Sequence, residues 1–169
     1  VGFDDKSWSG DAIAMDVNDD GRPDVYLLNM MGENHLWLNE GGTHFRDATK
    51  TYFPKTPWGA MGAKVFDFNG DGRLDLFVTD MHSDMFNEIA AGDWIGEAGK
   101  AAARFAPNDM FPTGRAQFVF GNALFANPGG TAAAPYREVS DSMGVETYWP
   151  WGPSVDDLNA DGWDDALVT

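Results

Sequence analysis

A nine-residue pattern occurs three times in this chain of 169 residues, and it constrains the fold more than any other feature. The copies, which we call loops 1, 2 and 3, cover residues 16–24, 67–75 and 157–165. Each reads Asp-x-Asn-x-Asp-Gly-x-x-Asp and is followed at once by an apolar run. Repetition of one pattern along a chain is typical of a fold built from copies of one supersecondary unit.

The oxygen-bearing side chains of each loop are spaced as in a calcium site. Ca²⁺ takes about six to eight oxygen ligands, and the side chains at positions 1, 3 and 5 of a tight loop can converge on it. Glycine at position 6 permits a sharp bend with positive φ. Position 7 would offer its backbone carbonyl, and position 9 a closing carboxylate. The ligands predicted for three Ca²⁺ ions are Asp16, Asn18, Asp20, Arg22 and Asp24; Asp67, Asn69, Asp71, Arg73 and Asp75; and Asp157, Asn159, Asp161, Trp163 and Asp165.

Two other interpretations of the loops were weighed against calcium sites between strands. An EF-hand needs a bidentate Glu at position 12 and helices on both sides. Position 12 is instead Leu27, Val78 or Val168, each in an apolar strand-like run, so the loops are predicted to join strands. Plain acidic hairpin turns remain an alternative because Asp, Asn and Gly are common in turns. Agreement of the three copies favours calcium.

Composition and charge exclude several classes of function. The formal net charge of −16 repels nucleic acid. The absence of cysteine excludes disulfides, thiolate catalysis and thiolate metal sites. No apolar run approaches the roughly 20 residues of a membrane-spanning helix. Both ends of the chain look cut or processed, so we expect a part of a longer polypeptide.

The sequence offers no convincing catalytic group. We find no Ser-His-Asp spacing, phosphate-binding glycine loop or zinc-protease motif. His82, near Asp84, is interpreted as one half of a structural pair. The carboxylates that could form a glycosidase pair nearly all belong to the loops. We therefore expect no enzymatic activity.

Strand patterns surround the loops and repeat with them. Strands are expected to enter at residues 12–15, 63–66 and 154–155 and to leave at 25–28, 76–78 and 166–168. A second cassette follows at 34–49 and 122–140, with a strand, a Gly-Gly turn and another strand. Tandem four-stranded units are the blades of a β-propeller. We predict an all-β propeller fragment of about two and a half blades, in units 1–50, 51–141 and 142–169.

The second unit carries an insertion at residues 80–121. Loops 1 and 2 start 51 residues apart, whereas loops 2 and 3 start 90 apart. Apolar residues near helical spacing, interrupted by glycines, predict a broken helix or two short helices. Long connections are often functional, and exposed aromatic residues are enriched at interfaces. The candidate partner-binding residues are Phe86, Trp94, Phe105 and Phe111.

These motifs together resemble the FG-GAP/VCBS repeat proteins, and among them the ASPIC/UnbV or cartilage-acidic-protein-like branch. The resemblance is carried by the loops, the Asn-x-Leu-x-x-Asn-x-Gly-Gly cassettes, and residues 79–85 and 146–152. It covers nearly the whole chain apart from the interior of the insertion. It implies a calcium-bearing propeller in secreted or surface proteins. The missing blades would come from elsewhere in the polypeptide, or a partner would cover the open strand edges.

Two function classes follow. The first is a noncatalytic calcium-binding module for protein interaction or assembly, secreted, periplasmic or at the cell surface, as a peripheral subunit of a larger complex. The alternative is a carbohydrate-binding or carbohydrate-active propeller with a glycan ligand. Recurrent tryptophans fit either class, as blade-packing residues or as a sugar platform: Trp8, Trp58, Trp149 and Trp151.

Overall fold

A computed structural model describes residues 2–81, 118–119, 121–147 and 149–169. Most of the insertion therefore lies outside the described residues. The predicted short helices lie there, as do His82 and the candidate partner-binding residues Phe86, Trp94, Phe105 and Phe111. The predictions for these residues stay predictions.

The first sheet contains four antiparallel strands in the order β1-β2-β3-β4. They are β1 (Trp8–Met15), β2 (Asp24–Met31), β3 (His35–Asn39) and β4 (Phe45–Asp47). Loop 1 joins β1 to β2. The hairpin between β3 and β4 turns through Gly41 and Gly42, whose φ angles of 87° and 84° favour glycine.

The second sheet repeats this arrangement. Its strands are β6 (Ala60–Phe66), β7 (Asp75–Asp80), β9 (Ala123–Ala126) and β10 (Arg137–Glu138). Two short strands outside this sheet are β5 (Thr56–Pro57), which precedes β6 in the chain, and β8 (Phe118–Val119), which lies between β7 and β9 in the chain. The order β10-β9-β7-β6 is that of the first sheet, and loop 2 joins β6 to β7. The short parallel pair of β5 and β8 has no counterpart in the sequence prediction.

Loop 3 joins a two-stranded hairpin of β11 (Pro153–Asp156) and β12 (Asp165–Val168). The register at the base of all three loops is the same. The residue before position 1 pairs with the Asp at position 9: Met15 with Asp24, Phe66 with Asp75, and Asp156 with Asp165. The loops thus join antiparallel strands, as predicted.

The all-β prediction is confirmed, and helix is confined to two single turns in the described residues. These are α1 (Thr49–Tyr52) and α2 (Ser140–Met143). Each begins two residues after the fourth strand of a sheet, so they are equivalent parts of the repeat. Neither helix is predictable from the sequence, because four residues are too few to show a helical period.

Phe53 lies where the two four-stranded sheets meet. Its side chain is fully buried, and its ring centroid lies 4.9 Å from that of Tyr26, 5.3 Å from Phe125 and 4.7 Å from Tyr136. Tyr26 belongs to β2 and Phe125 to β9, so the ring of Phe53 connects the cores of both sheets. A second apolar cluster, which includes Phe66 and Val155, packs the second sheet against the β11–β12 hairpin.

The recurrent tryptophans differ in how far they are covered. Trp8 is 67% exposed, Trp149 57% and Trp151 71%. Trp58 is partly buried, with its ring centroid 4.8 Å from that of Phe118. Within the described residues, Trp8, Trp149 and Trp151 are therefore not covered by a neighbouring blade, and their packing role stays a prediction.

We expect Phe53→Ala to destabilise the protein by about 3–5 kcal/mol, because it leaves a cavity between two sheets. Phe3→Ala is the matched control, since the Phe3 side chain is 45% exposed. Urea unfolding followed by circular dichroism measures both free energies. Equal losses for the two variants would contradict this account of the core.

Candidate functional site

All three loops have the same bend, with positive φ at positions 4 and 6. Position 6 is glycine in each, with φ of 81° at Gly21, 83° at Gly72 and 91° at Gly162. The predicted conformation at position 6 is confirmed. Position 4 is also left-handed, with φ angles of 56°, 72° and 61° at Asp19, Gly70 and Ala160. A non-glycine residue held there costs about 1–3 kcal/mol, so the surrounding contacts must maintain the bend.

The aspartate at position 1 fixes that bend with both carboxylate oxygens. In loop 1, Oδ1 of Asp16 accepts the N–H of Asp20 at 3.0 Å, and Oδ2 accepts that of Gly21 at 2.7 Å. The same two bonds recur at 3.0 and 2.7 Å in loop 2 and at 3.0 and 2.8 Å in loop 3. The aspartate therefore organises the backbone around itself.

The side chain at position 3 brings a further oxygen to the same place. Oδ1 of Asn18 accepts the same Asp20 N–H that Asp16 accepts, at 3.3 Å. Loops 2 and 3 repeat this shared donor, with distances of 3.0 and 2.9 Å from the asparagine. Two oxygens that accept one N–H must lie side by side. Each loop thus places the oxygens of positions 1 and 3 together.

The aspartate at position 9 ties each complete sheet to its loop. Asp24 is fully buried; its Oδ2 accepts the N–H of Val17 at 3.0 Å, and its Oδ1 accepts that of Asn39, at the end of β3, at 2.7 Å. Asp75 makes the equivalent bonds to Phe68 at 3.2 Å and Asn127 at 2.7 Å. Asp165 accepts the N–H of Leu158 at 3.1 Å and is partly exposed.

The asparagine at the end of each third strand, Asn39 in β3 and Asn127 directly after β9, was missed as a member of the site. Nδ2 of Asn39 donates to the carbonyl of Pro23 at 3.0 Å, and its Oδ1 accepts the N–H of Gly42 at 2.6 Å. Asn127 bonds likewise to Leu74 and Gly130. One side chain thus connects the loop, the strand and the Gly-Gly turn. The recurrence of this asparagine in both cassettes was the available signal.

The arginines at position 7, whose backbone carbonyls are predicted metal ligands, also make contacts through their side chains. Nη2 of Arg22 lies 2.5 Å from Oδ2 of Asp20, and its Nε donates to the Asn39 carbonyl at 3.1 Å. Nη2 of Arg73 lies 2.6 Å from Oδ2 of Asp71, and its Nε donates to the Asn127 carbonyl at 2.9 Å. The guanidinium groups therefore sit beside predicted calcium ligands.

Trp163 takes position 7 in loop 3, and its ring lies over loop 2. A Cβ added to Gly70 would come within 2.7 Å of this ring, so a larger residue at position 70 would have to displace it. Trp163 is 59% exposed. Loop 3 accordingly has no basic side chain of its own at this position.

The electrostatics of the loops reflect crowded carboxylates. Burial raises the pKa of Asp24 despite its two backbone hydrogen bonds, and the charges of Asp20 and Asp16 add to the rise. Burial raises the pKa of Asp75 in the same way, with Asp71 and Asp67 nearby. A cation placed among these groups would offset both the burial cost and the mutual repulsion.

The donors present suit a hard cation. In the described parts of the chain, no three His, Cys, Asp or Glu side chains form a group that could hold a metal ion, so the three aspartates predicted as ligands in each loop are not gathered around one point. The predicted donor set, however, includes an asparagine oxygen and a backbone carbonyl in each loop. Each carboxylate or amide oxygen has two lone pairs, so one accepted hydrogen bond leaves a second for a cation. The types of donor atom therefore suit Ca²⁺, and its binding stays a prediction.

Residues 16–78 match the family model described as the FG-GAP-like repeat. The match runs from loop 1 through the first sheet to β7, and it supports the predicted relation to FG-GAP repeats. Such a repeat suggests a β-propeller-like protein-interaction module. No curated protein matches the chain. In the part of the chain that the structure describes, no helix has the length and apolar character needed to cross a membrane.

We expect Asp75→Asn to cost about 1–3 kcal/mol in the metal-free protein, because its amide group would face one of two buried N–H donors. Asp165→Asn is the control, since Asp165 is partly exposed. Urea unfolding in EGTA measures both changes. An equal loss of unfolding free energy in Asp165→Asn and Asp75→Asn would show that the buried hydrogen bonds of Asp75 contribute no more than the exposed one of Asp165.

Proposed function

We propose that this chain is a noncatalytic, calcium-stabilised propeller module of the ASPIC/UnbV type that serves protein interaction or assembly. The observation that carries the proposal is the shared geometry of the three loops. Five equivalent hydrogen bonds recur in each loop, to the oxygens of positions 1, 3, 5 and 9. Acidic turns without a ligand would not be expected to share the same five hydrogen bonds.

Calcium would act on the stability of the strands rather than on a substrate. Position 9 joins loops 1 and 2 to the third strand of their sheets, and position 1 holds the bend of each loop. A cation bound between them would hold both in place. Binding to the native state alone contributes about 2.7 kcal/mol per site at a ligand concentration of 100 Kd. The proposed role of calcium is therefore structural, as expected for an interaction module.

The setting we propose is secreted, periplasmic or at the cell surface. Extracellular calcium modules bind with Kd values of about 10⁻⁴–10⁻³ M, which only calcium-rich surroundings can fill. Partly exposed loops, such as loop 3, suit this range better than enclosed high-affinity cages do. The partner would be another protein or further blades, and its contact with Phe86, Trp94, Phe105 and Phe111 remains a prediction.

A carbohydrate-binding role is the second candidate, and the exposed tryptophans favour it. The rings of Trp8, Trp149 and Trp151 are open to solvent, where they could stack on the faces of sugars. Against it, a cavity of about 220 Å³ beside the second sheet has apolar walls, including Phe66, Phe77, Leu124, Val145 and Val168. Such walls offer a sugar few hydrogen bonds. Glycan arrays separate the two candidates.

We expect millimolar Ca²⁺ to raise the melting temperature by many degrees relative to EGTA, because it relieves repulsion among the carboxylates of each loop. Differential scanning calorimetry measures the shift, with equal concentrations of Mg²⁺ as the control. Mg²⁺ should give a smaller shift, since it demands stricter geometry and gives up its water reluctantly. Identical melts in EGTA and Ca²⁺ would refute the proposed function.

A further inference from the structure

The side chain at position 7 decides whether a loop contains a positive charge of its own. Arg22 places a guanidinium nitrogen on Asp20, and Arg73 places one on Asp71. Both contacts are to the position-5 carboxylate that is a predicted metal ligand. Trp163 has no charge, and its ring extends over Gly70 of the neighbouring loop.

The loops also differ in formal net charge. Loop 1 contains four aspartates and one arginine, and loop 2 contains three aspartates and one arginine. Loop 3 contains four aspartates and no basic residue. Loop 3 is therefore the most negative of the three, and its repulsion has no internal compensation from its own residues.

The two arginines are held in place by a second contact. The Nε of each donates to the carbonyl of the asparagine at the end of the third strand, at 3.1 Å for Arg22 and 2.9 Å for Arg73. The N–H of the same asparagine binds the position-9 aspartate. Each guanidinium thus spans the loop from position 5 to the residue at the end of the third strand, through a partly exposed ion pair and one hydrogen bond.

We propose that Arg22 and Arg73 are built-in counter-cations that stabilise the bend of loops 1 and 2 without metal, whereas the bend of loop 3 lacks this compensation and depends more strongly on Ca²⁺. This inference rests on the proposed function, since it assigns different calcium dependence to the three loops. In loops 1 and 2, Ca²⁺ must share a carboxylate with a guanidinium. In loop 3 it meets no competing cation.

The backbone amide of the position-6 glycine can report on each loop separately. Gly21, Gly72 and Gly162 each donate this N–H to the aspartate at position 1, at 2.7 to 2.8 Å. We therefore suggest heteronuclear NMR of protein labelled with ¹⁵N-glycine, titrated with CaCl₂ after EGTA treatment. In EGTA, the Gly21 and Gly72 signals should be sharp and the Gly162 signal broadened. Calcium should sharpen Gly162.

Two variants at position 163 isolate the effect of charge. Trp163→Arg and Trp163→Met both remove the ring from Gly70, but only the first supplies a guanidinium. In EGTA, Trp163→Arg should sharpen the Gly162 signal while Trp163→Met leaves it broad. Trp163→Arg should also weaken calcium binding by loop 3 about two- to fivefold relative to Trp163→Met, as expected for one partly exposed ion pair.

The converse variant is Arg73→Met, which should broaden Gly72 in EGTA and leave Gly21 sharp. Similar Gly162 signals in the two position-163 variants, or a sharp Gly162 signal in the unaltered protein in EGTA, would overturn the proposal. If no glycine signal responds to Ca²⁺, the proposed function fails. The counter-cation role is then tested by the spectra in EGTA alone, in which the Gly162 signal must still be sharper in Trp163→Arg than in Trp163→Met.

Discussion

The buried carboxylate at position 9 is the interaction on which the rest of the structure depends. Asp24 accepts one N–H from its own loop and one from Asn39 at the end of β3, and Asp75 does the same with Phe68 and Asn127. A single side chain therefore fixes the loop against the strand that follows the hairpin. Leaving either donor unpaired in the interior would cost about 1–3 kcal/mol. The four-stranded order of both complete sheets is consistent with this tie.

Burying that carboxylate has an electrostatic cost, which gives the remaining loop residues their roles. Burial raises the pKa of Asp24 and of Asp75, and nearby aspartates add to the rise. Positive charge near these groups is therefore stabilising. In loops 1 and 2 an arginine supplies some of it, and we propose that Ca²⁺ supplies more in all three loops.

The spacing of the repeat was enough to predict the loops, the glycine bend, the strands on either side and the all-β class. These features depend on neighbours in sequence. The contacts that could not be predicted join distant residues: Asn39 reaches Asp24 across 15 positions, and Asn127 reaches Asp75 across 52. The side-chain role of Arg73 depends on the same strand and was missed for the same reason. Exposure of Trp8 and Trp151 was also missed, since residue type alone does not show which ring is covered.

The most direct test of the account is the number of calcium ions bound by the folded protein. Equilibrium dialysis against ⁴⁵Ca²⁺, carried to concentrations that saturate binding, measures it without reference to stability. The account predicts three ions per chain, one for each loop, and the loss of one ion in Asp71→Ala. Asp4→Ala, which removes an exposed carboxylate outside the loops, should leave the number unchanged. No bound calcium, or equal binding by the protein and its Asp71→Ala variant, would contradict the central claim.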